Sequence, residues 1–337
     1  MQKELIYWYN QNKRNLPWRK TNNPYNIWIS EIMLQQTTVE AVIPYYLRFM
    51  KRFPTIKELA KANEEEVYKY WEGLGYYRRA KHILETAQIL HKQYHDQFPD
   101  DYQTILSLKG IGPYTAGAIS SIAFSKEIAA IDGNVLRIIS RTHLISDNIA
   151  LTTTQKNITE IVNKLIQGYN PSSFNQGLMD LGATICRPKN PKCEICPINH
   201  DCKAYLNNQQ NVLPINIKKI KHQEIHFITG IITHKNHYMF IKNKKGLLEN
   251  LYGLIQYECQ NPYDFIQLFK NEYHIDLEVV SYIKDIKHIF THRTWIMHTY
   301  HFILKEPNGY LYNQKEMEKI PISTAHQKVL TAYFKEN

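Results

Sequence analysis

Between Ile27 and Leu34 the run IWISEIML holds only two polar residues, Ser30 and Glu31. A helix that is apolar on nearly every side is a buried helix, and a carboxylate inside one is costly unless it is neutralised or paired. The plain reading turns Glu31 to solvent. The chemical reading makes it an acid whose apolar neighbours disfavour the charged form and raise its pKa. A second carboxylate, Asp132, stands in AAIDGNVLRIISR, immediately before a helix that carries Arg137 and Arg141. Alone, it is a helix cap worth about 1 kcal/mol. The third group is CRPKNPKCEICPINHDC, with Cys186, Cys193, Cys196 and Cys202 inside seventeen residues. So tight a cluster, in a chain that opens on the polar MQKELIYWYNQNKRN with no secretory leader, points to a metal centre and away from a disulfide framework. Spacing leaves zinc and an iron–sulfur cluster both open. Cys259 stands apart and reads as a small buried apolar residue.

The elements that must position these groups are helical. LSLKGIGPYTAGAISSIAF (106–124) sets Gly110 and Gly112 around Ile111, with Pro113 where a helix would begin. Glycine lets the backbone turn tightly and approach a surface closely. The helix N-terminus that follows points free N–H groups outward, an anion site. A helix–hairpin–helix loop holds a DNA phosphate in this way without reading sequence. The P-loop and dinucleotide-binding readings fail, since no Gly-Lys-Ser/Thr follows and no strand precedes. Upstream, NPYNIWISEIMLQQ has Asn23 as cap and Pro24 in the first turn. TTVEAVIPYYLRFMKRF opens with capping-box spacing from Thr37 to Glu40. NEEEVYKYWEGLG is capped by Asn63 and stopped by Gly73 or Gly75.

Residues 1–206 read as helices throughout, without an internal repeat. Residues 207–222, polar, basic and proline-marked, suit a linker. From 223 to 337 the period shifts toward two: EIHFITGIIT, HYMFIK, EVVSYIKDIKHIF and TWIMHTYHFIL predict strands, PYDFIQLFKNEYH and TAHQKVLTAYFK helices. That is a smaller α+β domain. Lys+Arg exceed Asp+Glu by 41 to 31, giving +10, which favours a polyanionic partner such as DNA or RNA. Tyrosines number 24; exposed ones can stack on bases, although core filling is their commoner use. No stretch has the roughly 18 apolar residues needed to span a bilayer, so a cytoplasmic protein is expected.

The chain resembles the helix–hairpin–helix DNA glycosylases, and most closely those of the MutY type, which remove adenine opposite 8-oxoguanine. The resemblance runs through LPWR (16–19), SEIMLQQT (30–37), GLGYYRRA (73–80), LKGIGPYTA (108–116), IDGNVLRI (131–138) and FNQGLMDLGATIC (174–186), and includes the cysteine spacing. It implies an all-α glycosylase domain with an iron–sulfur loop: a six-helix module with the hairpin at about 17–121, and an iron–sulfur module from 1–16 plus 122–206. A Nudix-like domain that recognises 8-oxoguanine follows. It also implies a 4Fe–4S cluster in place of zinc, and a monomer acting on duplex DNA with A·8-oxoguanine or A·G pairs. The sister enzyme endonuclease III carries a lysine nucleophile where this chain has Tyr114, so base hydrolysis without efficient strand cleavage is expected.

On the same resemblance, Glu31 protonates the leaving adenine and an ionised Asp132 near a helix N-terminus faces the oxocarbenium-like sugar. Tyr114 and Asn134 support that cation and the water. Trp18, Arg19, Leu34 and Gln176 line the adenine pocket. Gln36 and Tyr76 fill the gap beside the lesion once the base is flipped out, Thr37 contacts it, and Gly110 and Gly112 grip phosphate. The family's Phe-Ser-His loop becomes Phe290, Thr291 and His292 here, keeping the hydroxyl. A Nudix hydrolase box is absent, so no pyrophosphatase is expected. His288, His292, His298 and His301 read as strand-surface and DNA-contacting residues in preference to metal ligands. The alternatives are an endonuclease III-type glycosylase and lyase on oxidised pyrimidines, and a non-catalytic DNA-binding iron–sulfur protein.

Overall fold

The computed structural model describes residues 1–217 and 222–336. In chain order the helices are α1 (Gln2–Asn12), α2 (Pro24–Leu34), α3 (Val39–Arg52), α4 (Ile56–Ala60), α5 (Glu64–Trp71), α6 (Arg78–Gln93), α7 (Tyr102–Ser107), α8 (Pro113–Phe124), α9 (Gly133–His143), α10 (Thr152–Leu165), α11 (Pro171–Thr184), α12 (Lys203–Leu206), α13 (Pro262–Tyr273), α14 (Gln314–Met317) and α15 (Thr324–Glu336). The strands are β1 (Gln223–His234), β2 (His237–Met239), β3 (Ile241–Lys242), β4 (Tyr252–Gly253), β5 (Ile255–Tyr257), β6 (Leu277–Ile289), β7 (Arg293–Leu304) and β8 (Leu311–Tyr312). Two compact units result, one from Met1–Lys61 with His82–Lys218, the other from Ala62–Lys81 with Lys219–Asn337.

In the first unit Asn23 caps α2 by accepting from the Tyr25 N–H, with Pro24 in the first turn as expected. Tyr25 and every residue from Ile27 to Met33 are buried, Glu31 included. Helix α2 packs on α8, and α11 packs on α1, α8 and α9. Leu5, Val135, Ile138, Ile139, Phe174, Leu178 and Leu181 form part of the core beneath these contacts, each large apolar side chain contributing about 1.5–3 kcal/mol by burial. Gly117 in α8 allows one of these approaches: a Cβ there would lie 2.3 Å from the Ala129 carbonyl oxygen. Asn175, fully buried, accepts from the Ala130 N–H and donates to the Ile128 carbonyl. The segment leading into Asp132 is thus pinned from two helices.

In the second unit a six-stranded sheet runs β6-β7-β1-β2-β8, with β5 also on β1. The β1–β7 pair is parallel, in register from Gln223↔Arg293 to Thr233↔Ile303, and β6–β7 is antiparallel. One face covers Phe227, Ile231, Trp295 and Met297 with α15 residues Val329 and Leu330; the other packs Ile228, Ile232 and Phe302 on Phe265 and Phe269 of α13. Cys259, expected to be buried, is half-buried at this second cluster.

Three expectations need correction. Helix α3 is capped by Thr38, not Thr37, whose hydroxyl bonds the Gln35 carbonyl; the chain needs one more residue to turn out of α2. The expected linker 207–222 is tied to the first unit as far as Ile217: Ile149 N–H donates to the Ile215 carbonyl, and Asn148 exchanges bonds with Ile217. Its residues 218–221 lie outside the described residues. Finally, 62–81 groups with the C-terminal unit, through non-local bonds no local pattern encodes. Lys242 pairs with Glu65 at 2.6 Å, Asn250 donates to Glu64, and the Ile322 N–H donates to Glu72.

Candidate active site

Glu31 near the end of α2, Tyr114 in the first turn of α8 and Asp132 capping α9 line one cleft of about 570 Å³ in the first unit. The Tyr114 hydroxyl donates to Glu31 Oε2 at 2.5 Å. Glu31 is 5% exposed. Burial pushes its carboxyl up to about 7, the charge of Asp132 adding to the rise while the Tyr114 hydrogen bond and Arg19 oppose it. At neutral pH a large share of Glu31 therefore carries a proton. Tyr114 is held well above its ordinary pKa, by burial first and then by Glu31, and stays a neutral donor.

Asp132 Oδ1 accepts from the Val135 N–H at 2.8 Å, and Oδ2 from the Asn134 side chain at 2.7 Å. Its ionised state was expected from the helix N-terminus alone. Burial instead raises this carboxyl, and the Val135 and Asn134 donors, with Arg137, act against the rise. Asn134 is itself held. Arg137 donates to Asn134 Oδ1 and to the Gly182 carbonyl, both at 2.8 Å, while its Nε donates to the Cys186 carbonyl at 2.7 Å. Gly182 makes this possible, since a Cβ there would lie 2.5 Å from Asn134 Cβ.

Trp18, Arg19, Leu34, Gln36, Thr37 and Gln176 line the same cleft. Trp18 is buried edge-on against Tyr46, and Gln176 donates to the Ser172 hydroxyl. Gln36 is exposed, at φ +58 in the turn that closes α2. Arg19 forms a two-point pair with Asp180 at 2.6 and 3.0 Å, and Arg14 binds the same carboxylate at 2.6 Å. Asp180 is 1% exposed. Burial pushes its carboxyl up and the two guanidiniums more than reverse this, leaving it below the ordinary range. Sequence reasoning missed Asp180, although GLMDLGA shows the same apolar-flanked carboxylate as IWISEIML. It also missed Gln35, which lines the cleft and donates to the Thr115 hydroxyl at 3.4 Å.

The hairpin glycines do not line the cleft. Gly110 has φ +75, and a Cβ there would come within 2.5 Å of His82; Gly112 caps α8 with open space beside it. Helix α8 thus carries an uncovered N-terminus one residue before Pro113 and two before Tyr114. In the second unit Tyr76, at φ +49 and exposed, shares a hydrogen bond with the Thr291 hydroxyl. Phe290 packs edge-on to His288 and Trp295, and His292 is exposed between β6 and β7. Tyr76, Phe290 and Thr291 come together here, whereas Gln36 belongs to the other unit.

Cys186, Cys193, Cys196 and Cys202 surround one small pocket. Four thiols around one pocket, with no carboxylate or histidine among its described lining residues, are a donor set that fits an iron–sulfur cluster. Burial raises the thiols of Cys193, Cys196 (to about 12) and Cys202, and their neighbours' charges add to it. Four thiolates coexist here only around bound cations.

Residues 29–167 match the HhH-GPD superfamily of base excision DNA repair proteins, 186–202 the iron–sulfur binding domain of endonuclease III, and 228–332 the NUDIX domain. Fold and cleft are together those of a helix–hairpin–helix base-excision DNA glycosylase. A thermostable thymine-DNA glycosylase structure superposes with TM-score 0.56 at 32% identity, covering 61% of this chain and 94% of that one. The adenine DNA glycosylase of Buchnera aphidicola (subsp. Baizongia pistaciae) is 36% identical over 99% of this chain and 96% of its own length. The human adenine DNA glycosylase is 39% identical over 62% of this chain and 40% of its own. The chain belongs to the adenine DNA glycosylase family. It is an enzyme that hydrolyses the N-glycosyl bond of adenine in DNA, and it binds a 4Fe–4S cluster.

Proposed function

We propose that this enzyme excises adenine paired with 8-oxoguanine, and with guanine, by hydrolysis alone, leaving an abasic site. It works as a monomer on nucleoid DNA in the cytoplasm. The observation that carries this reading is the buried Glu31, its carboxyl raised to about 7, sharing a cleft with a multiply bonded Asp132. No lysine is among the residues lining that cleft.

With the adenine flipped into the cleft, Glu31 gives its proton to the base at N7 as the C1′–N9 bond breaks and its electron pair leaves with the purine. Positive charge grows on the sugar, opposite Asp132, whose charge the Val135 N–H and the Asn134 amide hold in place. A water adds to C1′ and passes its proton to the Glu31 carboxylate, which restores the acid. General-acid help of this kind contributes about 10²–10⁴-fold, and a preorganised anion beside the cation is the larger share of most such accelerations. Tyr114 keeps Glu31 oriented by its hydrogen bond. Because adenine is a normal base, selectivity comes from the opposite base: in the second unit Tyr76, tethered to Thr291 beside Phe290, is the reader of 8-oxoguanine.

The test is a set of duplexes with one A·8-oxoguanine, A·G or A·T pair, incubated with enzyme and then treated or not with alkali. Breakage at the adenine of the first two only after alkali is expected. Breakage without alkali, together with borohydride trapping of enzyme on DNA, would instead establish the lyase reading, and no breakage at all a binding protein.

A further inference from the structure

Beyond the cysteine motif, one side chain from the segment expected to be a linker reaches the cluster pocket. Gln210 lines it with the four cysteines and Tyr205. Its Oε1 is buried without a hydrogen-bond partner among the described residues, an arrangement that costs about 1–3 kcal/mol unless something completes it. Its backbone is fixed on both sides. The Gln209 N–H donates to the Ala204 carbonyl, Leu213 N–H and Val212 N–H return to the Gln209 carbonyl, and the Leu213 carbonyl accepts from Arg141 Nε at 2.9 Å. The same buried Arg141 donates through Nη1 to Cys186 Sγ at 3.3 Å and to the Arg187 carbonyl at 2.8 Å. One guanidinium therefore ties a cluster-ligand sulfur to the turn that presents Gln210.

Thiolates and sulfides are acceptors carrying negative charge. An amide oxygen facing them is repelled, while half a turn about the last side-chain bond offers an N–H in the same space. We infer that Gln210, held in place by the Arg141-anchored turn, donates an amide hydrogen bond to the sulfurs of the bound cluster and sets its redox potential. Hydrogen bonds to sulfur stabilise the more negative, reduced state and raise the potential. Arg141 contributes a charged donor in the same direction, but it also holds the Leu213, Arg187 and Pro188 carbonyls, so Gln210 is the donor that can be changed alone.

The experiment is an EPR-monitored redox titration of the holoenzyme with Gln210→Met, which keeps length and removes the donor, and Gln210→Glu, which leaves only acceptors. Both potentials should shift negative, Glu further than Met. In the unsubstituted protein labelled with ¹⁵N in glutamine side chains, pulsed EPR of the paramagnetic cluster should show a nitrogen coupling that Gln210→Met removes. Potentials unchanged in both variants, or shifted positive by Glu, overturn the inference. If either variant loses its cluster on purification, the coupling in the labelled parent decides alone, and its absence overturns the inference too.

Discussion

Two carboxyl groups are buried in apolar helices of the same unit, Glu31 in α2 and Asp180 in α11, and their surroundings treat them in opposite ways. Asp180 receives two guanidiniums and is driven toward permanent charge. Glu31 receives one neutral hydroxyl, with Arg19 already committed to Asp180, and is driven toward a retained proton. Burial alone therefore assigns no role. The number of cations within reach decides whether a buried acid braces the fold or keeps a transferable proton. Arg19 connects the two regions, since its pairing with Asp180 withholds a full counter-charge from the cleft.

The sharpest way to break this contrast is Glu31→Gln. Base release should fall by at least about 10²–10⁴-fold while lesion-duplex binding persists, measured by single-turnover excision and gel shift. The parent's excision rate should also decline by about tenfold per pH unit above about 7, as Glu31 loses its proton. Stability also falls as pH rises, but over a lower range, and the substitution affects it with the opposite sign to activity. A carboxyl raised above its unfolded value costs nothing below that value, and its cost grows as pH rises toward about 7. Glu31→Gln should thus be more stable than the parent at pH 8, by up to the order of 3 kcal/mol, in urea unfolding. A variant that excises at parental rates removes Glu31 from the chemistry.

Asp180→Ala tests the other side. It leaves two half-buried cations without their partner, and a loss of about 1–3 kcal/mol is expected. Calorimetry should show a lowered Tm even where residual excision is measurable. The parent's own ion cluster should weaken only as acid drives pH down through the depressed carboxyl. A near-neutral effect on Tm would show that Asp180 is not the brace described. The smallest effect should come from Gly182→Ala, whose methyl meets Asn134. Overpacking of about 1–3 kcal/mol and a loss of Asn134 alignment should lower excision about tenfold with binding intact.

Much of this was legible in residue order. The apolar run around Glu31 raised the question of its burial, although the plain reading turned the side chain to solvent, and Asn23, Asn63 and Asp132 cap helices as their types suggest. Long helices show their period, and the long strands β1, β6 and β7 stand out by length and by their β-branched and aromatic residues, although β1 is buried on both faces along seven consecutive residues. The two-residue strands β3, β4 and β8 carry no period to read. Asp180 obeyed the same rule as Glu31 but was invisible as a site feature, because Arg14 and Arg19 lie more than 160 residues away in the chain. Asp132's upward shift depends on how deeply packing closes over it, which one helix cap does not reveal.

The polypeptide passes between its two units three times, after Lys61, before His82 and after Lys218. No single scission can therefore release the whole second unit. A chain cut after Ile217 would still carry Ala62–Lys81, stripped of its partners Lys242, Asn250 and Thr291. Inheritance of this architecture is thus a matter of interleaving, and a shuffled or recombined gene would have to exchange two stretches at once to replace the second unit.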